Sequence, residues 1–194
     1  GMSYATSVHQ TRNDDLYRIM ASQNATSVSI NGGAPTVINA GQYIQQSLGS
    51  ASFIDADKPI MVMQYSKGGD CDGANADPFI ITLSPIEQTL DTITFNAFTS
   101  SVISSYFVNI ISKTSTTNSV FLDGAGIGGF FSTIPSNPSY SYARRPISSG
   151  NHTIASDSGV VAYVYGYGSY ESYGYVAGAS LNNLGVSYNL DAQG

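Results

Sequence analysis

Hydrophobic and polar positions alternate in short runs along the chain, and turn residues separate the runs. Leu16-Tyr17-Arg18-Ile19-Met20-Ala21-Ser22 reads as a strand, Asn24-Ala25 turns the chain, and Thr26-Ser27-Val28-Ser29-Ile30 alternates polar with apolar. Asn31-Gly32-Gly33 then closes a tight turn, because Asn and Gly tolerate positive φ. Pro35 to Ile38 and Gln42-Tyr43-Ile44 are shorter strands on either side of Asn39-Ala40-Gly41. Ile60-Met61-Val62-Met63-Gln64-Tyr65-Ser66 is apolar on both faces and stops at Lys67-Gly68-Gly69. Strand signals at a spacing of roughly 8–12 residues predict an all-β sandwich or barrel, mostly antiparallel. The one helical signal is Ser84-Pro85-Ile86-Glu87, a capping box with proline at the first helical position, which predicts at most a short helical turn near 84–90.

The second half replays the first. Tyr106-Phe107-Val108-Asn109-Ile110-Ile111-Ser112 follows the pattern of the strand beginning at Leu16, and Asn118-Ser119-Val120-Phe121-Leu122-Asp123-Gly124 that of residues 26–32. Residues 146–154 match 36–44, and residues 157–168 match 57–68 without a gap, 100 residues apart at both ends (157 − 57, 168 − 68). Four blocks in one order predict an internal duplication: a first β unit over 3–91 and a second over 92–190, joined near the 84–91 turn and able to pack as one compact domain. Two copies are too few for a solenoid.

Residues 159–175 hold six of the 14 tyrosines. Their first part reads as a central strand, apolar on both faces. From Gly166 the glycines predict a turn and a tyrosine-rich loop. Tyr167, Tyr170, Tyr173 and Tyr175 become candidate ligand-binding residues, since a tyrosine surface among Gly and Ser supplies contact area at low entropic cost and its rings stack on sugar faces. The plainer reading is that these tyrosines cover a sandwich edge in a chain without Trp.

Composition narrows the setting. Charged residues are 10% of the chain, where roughly 25% is usual for soluble domains, and hydroxyl and β-forming residues take their place. That balance suits a secreted or cell-surface β protein. A net charge of −6 with scattered basic residues excludes a nucleic-acid surface, which needs a Lys/Arg stripe. No apolar run approaches the roughly 18 residues of a spanning helix, so no membrane insertion by this segment is expected. Gly1-Met2 resembles a tag scar before a start methionine. A single cysteine, Cys71, rules out an intrachain disulfide.

Candidate chemistry is sparse. Asp70, Asp72, Asn75 and Asp77 surround Gly73 with oxygen donors at the spacing a calcium loop uses, although the distal glutamate of a full EF-hand is missing; the simpler reading is a solvated acidic loop. Cys71 lies among aspartates that disfavour a reactive thiolate. His152 could serve as the base of a secreted hydrolase with a serine or acidic partner, or be a surface turn residue. Gly124-Ala125-Gly126-Ile127-Gly128-Gly129 looks like a phosphate loop but leads into Phe130-Phe131-Ser132-Thr133-Ile134-Pro135 rather than a helix, so a β-turn accounts for it better. Asn24-Ala25-Thr26 and Asn151-His152-Thr153 fit the glycosylation acceptor pattern.

Asp57-Lys58-Pro59-Ile60-Met61-Val62-Met63-Gln64-Tyr65, Asp77-Pro78-Phe79-Ile80, Ser84-Pro85-Ile86-Glu87-Gln88, Gly150-Asn151-His152-Thr153-Ile154 and the Tyr165 to Tyr175 stretch together resemble the N-terminal domain family of the IgGFc-binding protein, over roughly residues 14–180. The resemblance implies a non-enzymatic, secreted or surface-attached binding region, and it supplies no catalytic residues. The expected function is an adhesion or recognition module whose tyrosine-rich loops take a protein or glycan on a cell surface or in mucus, with calcium as the one conceivable cofactor. The alternatives are a secreted hydrolase using His152 and a structural spacer in a larger surface protein.

Overall fold

The computed structural model describes residues 1–73 and 76–180; of Asp72 it describes the backbone only. The chain is all-β. In the first half β1 (Ser3–Thr6), β6 (Ser52–Ala56), β3 (Thr26–Ile30) and β4 (Thr36–Ile38) form one sheet in that order. β5 (Tyr43–Leu48), β2 (Asp15–Ala21), β7 (Ile60–Ser66) and β8 (Phe79–Thr82) form a second. The inner faces of the two sheets share a core that includes Tyr4, Tyr17, Ile19, Val28, Ile54 and Val62. β2 shows why these residues make a sheet: Tyr17, Ile19 and Ala21 point into that core, while Leu16, Arg18 and Met20 stand on the opposite face at the strand period of two.

The second half is organised by one long strand. β9 (Leu90–Ala97), β10 (Ile103–Lys113), β11 (Phe121–Leu122), β12 (Ala125–Gly126), β13 (Ser132–Thr133), β14 (Tyr140–Ile147), β15 (Gly150–Gly168) and β16 (Glu171–Gly178) form a single eight-stranded sheet. The first part of β15 pairs with β9 and β11, the last part with β10 and β16. Between them the register with β9 shifts and Gly159 takes φ +71°. The kinked sheet folds over a second core of Ile93, Phe95, Val108, Ile110, Ile154, Val160 and Val164.

Strand order is the same in both halves. The order β1-β6-β3-β4 recurs as β9, the start of β15, β11 and β12, and β5-β2-β7-β8 recurs as β14, β10, the end of β15 and β16. Registers correspond too. Ile19 lies between Ile44 and Val62 as Ile110 lies between Ala143 and Ala162, and Ser29 faces Asp55 as Phe121 faces Ala155. Among the described residues no ladder joins β1–β8 to β9–β16, yet Ile111, Ile134, Val161 and Tyr163 of the second half belong to the core of the first.

Three local expectations need correction. The 84–90 segment is a hydrogen-bonded turn, with Gln88 N–H donating to Pro85 O, and not helical. Its backbone is engaged from outside: Ile86 N–H donates to Ser3 O, and the Tyr163 hydroxyl to Ser84 O. Helical turns fall instead at α1 (Gly69–Asp72), ended by Gly73 at φ +73°, and at two 3-10 segments, Thr114–Ser119 and Gly128–Phe130. Finally, the tyrosine-rich segment is a hairpin. β15 runs on through Gly166 to Gly168, where glycine is required by crowding: a Cβ on Gly168 would lie 1.8 Å from Val102 O, and one on Gly166 2.6 Å from the Tyr173 ring.

Candidate functional site

The β15–β16 hairpin closes through only two residues, Ser169 and Tyr170, because Gly168 pairs with Glu171. Tyr170 adopts φ +56°, a conformation that suits Gly or Asn. It is 82% exposed. Holding a bulky side chain there costs on the order of 1–2 kcal/mol and gains little burial in return.

The other three candidate tyrosines are placed differently. Tyr167 is only 5% exposed and sits within β15 between the halves. Its ring lies under the Arg12 guanidinium, 4.5 Å away, and its hydroxyl is 3.4 Å from Ser66 Oγ. Burial pushes the Tyr167 phenol up to about 12, against the pull of Ser66 and Arg12. Tyr173 and Tyr175 are half-buried on β16 and pack towards the second core. The Tyr175 hydroxyl donates to Asn96 O at 2.7 Å. Burial raises both phenols above their ordinary range. Alternation along two paired strands therefore separates the four tyrosines, and Tyr170 alone among them projects into solvent.

Tyr170 does not stand alone. It borders a cleft of about 800 Å³ whose walls include Leu16, Tyr65, Lys67, Asp70, Cys71, Asp77 and Pro78. The wall opposite is the segment between β7 and β8. Gly69 N–H donates to Ala76 O at 2.8 Å, and the Asp77 N–H donates to Ser172 Oγ at 3.0 Å, tying that segment to the tyrosine hairpin. Buried Ala76 anchors it against Tyr165 and Tyr167. Lys67 is paired with Asp14. Asp70 and Asp77 are exposed on the cleft wall. Thus the tyrosine segment and the acidic segment, separate proposals in sequence, meet at one place. Asn75 lies outside the described residues, as does the side chain of Asp72, and among the described residues no group of three or more His, Cys, Asp or Glu is placed to hold a metal ion.

His152 is nearly buried, with its ring stacked on Phe95 at 5.4 Å. Nδ1 lies 2.7 Å from Asp123 Oδ2, while Nε2 is 3.0 Å from Ser148 O and 3.4 Å from Ser148 Oγ. A carboxylate, an imidazole and a hydroxyl are in sequence here, as hydrolases arrange them. Both ring nitrogens face acceptors, however, and the carbonyl is nearer than the hydroxyl, so the ring clamps two turns together. Asp123 and Gly124 are the two positive-φ residues of the β11–β12 hairpin, which is the turn the glycine-rich stretch forms. Burial would raise the Asp123 carboxyl, but hydrogen bonds from His152 and Thr153 N–H outweigh it and hold it below its usual range.

The matching family model is that of the IgGFc binding protein, over residues 1–166. The chain belongs to that family. Two solved structures are similar in part: the lectin of Pleurotus ostreatus in its apo form, and the same lectin in complex with GalNAc. Each is 11% identical over 91% of this chain, covering 74% and 75% of the lectin chain, with TM-scores of 0.28 and 0.29. No curated protein matches the chain. No helix among the described residues is long and apolar enough to cross a membrane.

The buried polar network is what sequence reasoning missed. His9 and Asp15 are fully buried, 3.0 Å apart, and Gln64 Nε2 donates to the same Asp15 oxygen at 2.7 Å. Beside them Tyr165 accepts from Gln10 N–H and donates to Asn109 Oδ1, both at 2.7 Å.

Proposed function

We propose that this member of the IgGFc-binding family is an extracellular recognition module, built of two related β units, that takes a protein or glycan ligand in the cleft beside Tyr170. The equal strand order and registers of the halves support the two-unit reading. One observation carries the site: a tyrosine held in a strained conformation, 82% exposed, at the mouth of a cleft with two exposed carboxylates. An aromatic face packs on a sugar ring or an apolar side chain, and Asp70 and Asp77 accept hydrogen bonds from hydroxyl or amide donors. Family membership supports a secreted or surface location. The test is a glycan array with a mucin and serum-protein pull-down on the wild type and on Tyr170→Asn, which suits the turn. A ligand captured by the wild type and lost, at least tenfold, by Tyr170→Asn is the expected result. A ligand held equally by both proteins would move the site elsewhere.

A further inference from the structure

The outer face of the β5-β2-β7-β8 sheet has the wrong residues for a surface bathed in water. Its outward positions on the two middle strands are Leu16, Arg18 and Met20 of β2 and Met61, Met63 and Tyr65 of β7. Exposed Tyr43 and Ile80 flank them on the edge strands. An antiparallel sheet with one wet face ordinarily alternates apolar inside with polar outside. Here three of the chain's four methionines lie on the outside. The one charge among the six, Arg18, is sandwiched by rings, its guanidinium 5.2 Å from Tyr43 and 5.1 Å from Tyr65.

The second half shows what covers such a face. Matching strand for strand, Leu16, Arg18 and Met20 correspond to Phe107, Asn109 and Ile111, and Met61, Met63 and Tyr65 to Val161, Tyr163 and Tyr165. Five of those six counterparts are fully buried, Phe107 being partly exposed. Ile111, Val161 and Tyr163 are buried in the core of the first half, and Asn109 and Tyr165 by the stretch that follows β1: Asn109 Nδ2 donates to Ser7 Oγ and Val8 O, Gln10 N–H donates to the Tyr165 hydroxyl, and the His9 ring packs edge-on against Tyr165 at 4.5 Å. In the second half the position after β9 that answers to His9 after β1 is Phe98. It is 60% exposed, and Val102 beyond it is exposed as well. Among the described residues, one half thus leaves this face uncovered, and the other leaves exposed a stretch whose Phe98 ring meets Tyr173 edge-on at 6.2 Å. The face is also continuous with the existing interface, because Leu16 and Tyr65 reach the cleft where the halves meet.

We infer that the outer β5-β2-β7-β8 face is a docking surface for a second copy of this chain, which covers it with residues 98–102 in the way that residues 7–10 cover the second half. The contact joins different patches on the two partners, so it is head-to-tail and extends to chains rather than closing at a dimer. Strands about 4.8 Å apart and a few residues long make the patch roughly 15 by 20 Å, well below the roughly 800 Å² per partner of a standard interface and in the range of weak, transient contacts. Self-association is accordingly weak, with Kd on the order of 0.1–1 mM.

Met61→Glu disables the accepting face, and Phe98→Asp disables the covering stretch. Both positions are exposed, and unchanged thermal melting confirms that each variant folds. Sedimentation and light scattering of the wild type should show average mass rising with concentration past that of a dimer, with association at least tenfold weaker in either variant. Mixed one to one, the variants retain a single productive contact, so the mixture should form dimers and nothing larger. A wild type that stays monomeric to its solubility limit overturns the inference. So does a dimer sensitive to Met61→Glu but not to Phe98→Asp, since that would be face-to-face pairing, or a mixture that fails to pair. Neither Met61 nor Phe98 lines the cleft, so both variants leave the lining of the ligand site intact.

Discussion

Removing a single oxygen from Tyr165 should measurably loosen the attachment of the two halves. The hydroxyl is fully buried and has two partners at 2.7 Å: it accepts from Gln10 N–H in the first half and donates to Asn109 Oδ1 in the second. In Tyr165→Phe the ring keeps its packing against His9, Phe79 and Phe107, so the loss is confined to polar terms. Gln10 is partly exposed, and water can replace its lost partner, which limits that cost to about 1 kcal/mol. Asn109 is buried, and its orphaned carbonyl costs about 2 kcal/mol. The sum, about 3 kcal/mol, corresponds to a fall in Tm of roughly 6–12 °C for a chain of this size. Urea denaturation of the wild type, Tyr165→Phe, Asn109→Ala and the double variant measures it. Tyr165 and Asn109 should couple by about 1–2 kcal/mol. A change under about 0.5 kcal/mol in Tyr165→Phe would refute the hydroxyl as a tie between the halves, and strict additivity in the cycle would refute its bond to Asn109 within the second half.

Gly168→Ala should abolish stable folding or cost more than about 3 kcal/mol, because the new Cβ meets backbone at 1.8 Å, where no side chain can yield; soluble yield and denaturation midpoint report it. Asp123 has a folded pKa below its unfolded value, so its bonds to His152 and Thr153 stabilise the fold above the unfolded value near 3.8 and are lost as pH falls through the folded one. Asp123→Asn should therefore lower the melting temperature at neutral pH, and the difference from wild type should close in acid. At high pH the order reverses. Buried Tyr4, Tyr163, Tyr165 and Tyr167 hold their protons above the usual value of 10.0, so the unfolded chain ionises first and stability falls as pH rises past that point. Phenolate absorbance should show these four buried tyrosines ionising only with unfolding; titration of all 14 in one reversible step would contradict the burial pattern.

What the sequence made legible was local. Alternation and apolar runs bounded by turn residues placed β2, β3, β7 and β10 to within a few residues, because a strand packed in a sheet writes its burial into the chain. Glycine was harder to read. Gly166 and Gly168 carry the same letter whether they make a turn or allow close approach, and only the neighbours Tyr173 and Val102 decide between the two. The capping box at Ser84 failed for a related reason, since Ser84 O, which would accept a helix's first bond, accepts from the Tyr163 hydroxyl. The cleft was half visible: Tyr170 and the acidic loop could each be named, but their meeting depends on how β8 and β16 pack. The His9–Asp15–Gln64 cluster depends on the same packing, and nothing in the spacing of its members announces it.

The same topology serves opposite demands in the two halves, and the residues follow the demand. Where the sheet face is covered, a polar side chain must be fully satisfied, and Asn109 achieves that through Tyr165, Ser7 and Val8. At the corresponding place on the open face stands Arg18, which bonds Gln45, rests between two tyrosine rings and keeps part of its surface in water. Rigid Val161 and Tyr163 fill the covered face; flexible Met61 and Met63 occupy the open one, where a side chain has to suit both solvent and a docked surface. Had the open face been selected only for contact with water, those positions would carry the Ser, Thr and Asn that this chain places freely elsewhere. Their absence from the two middle strands of that face is the reason to look for its partner among units shaped like the one that covers the other half.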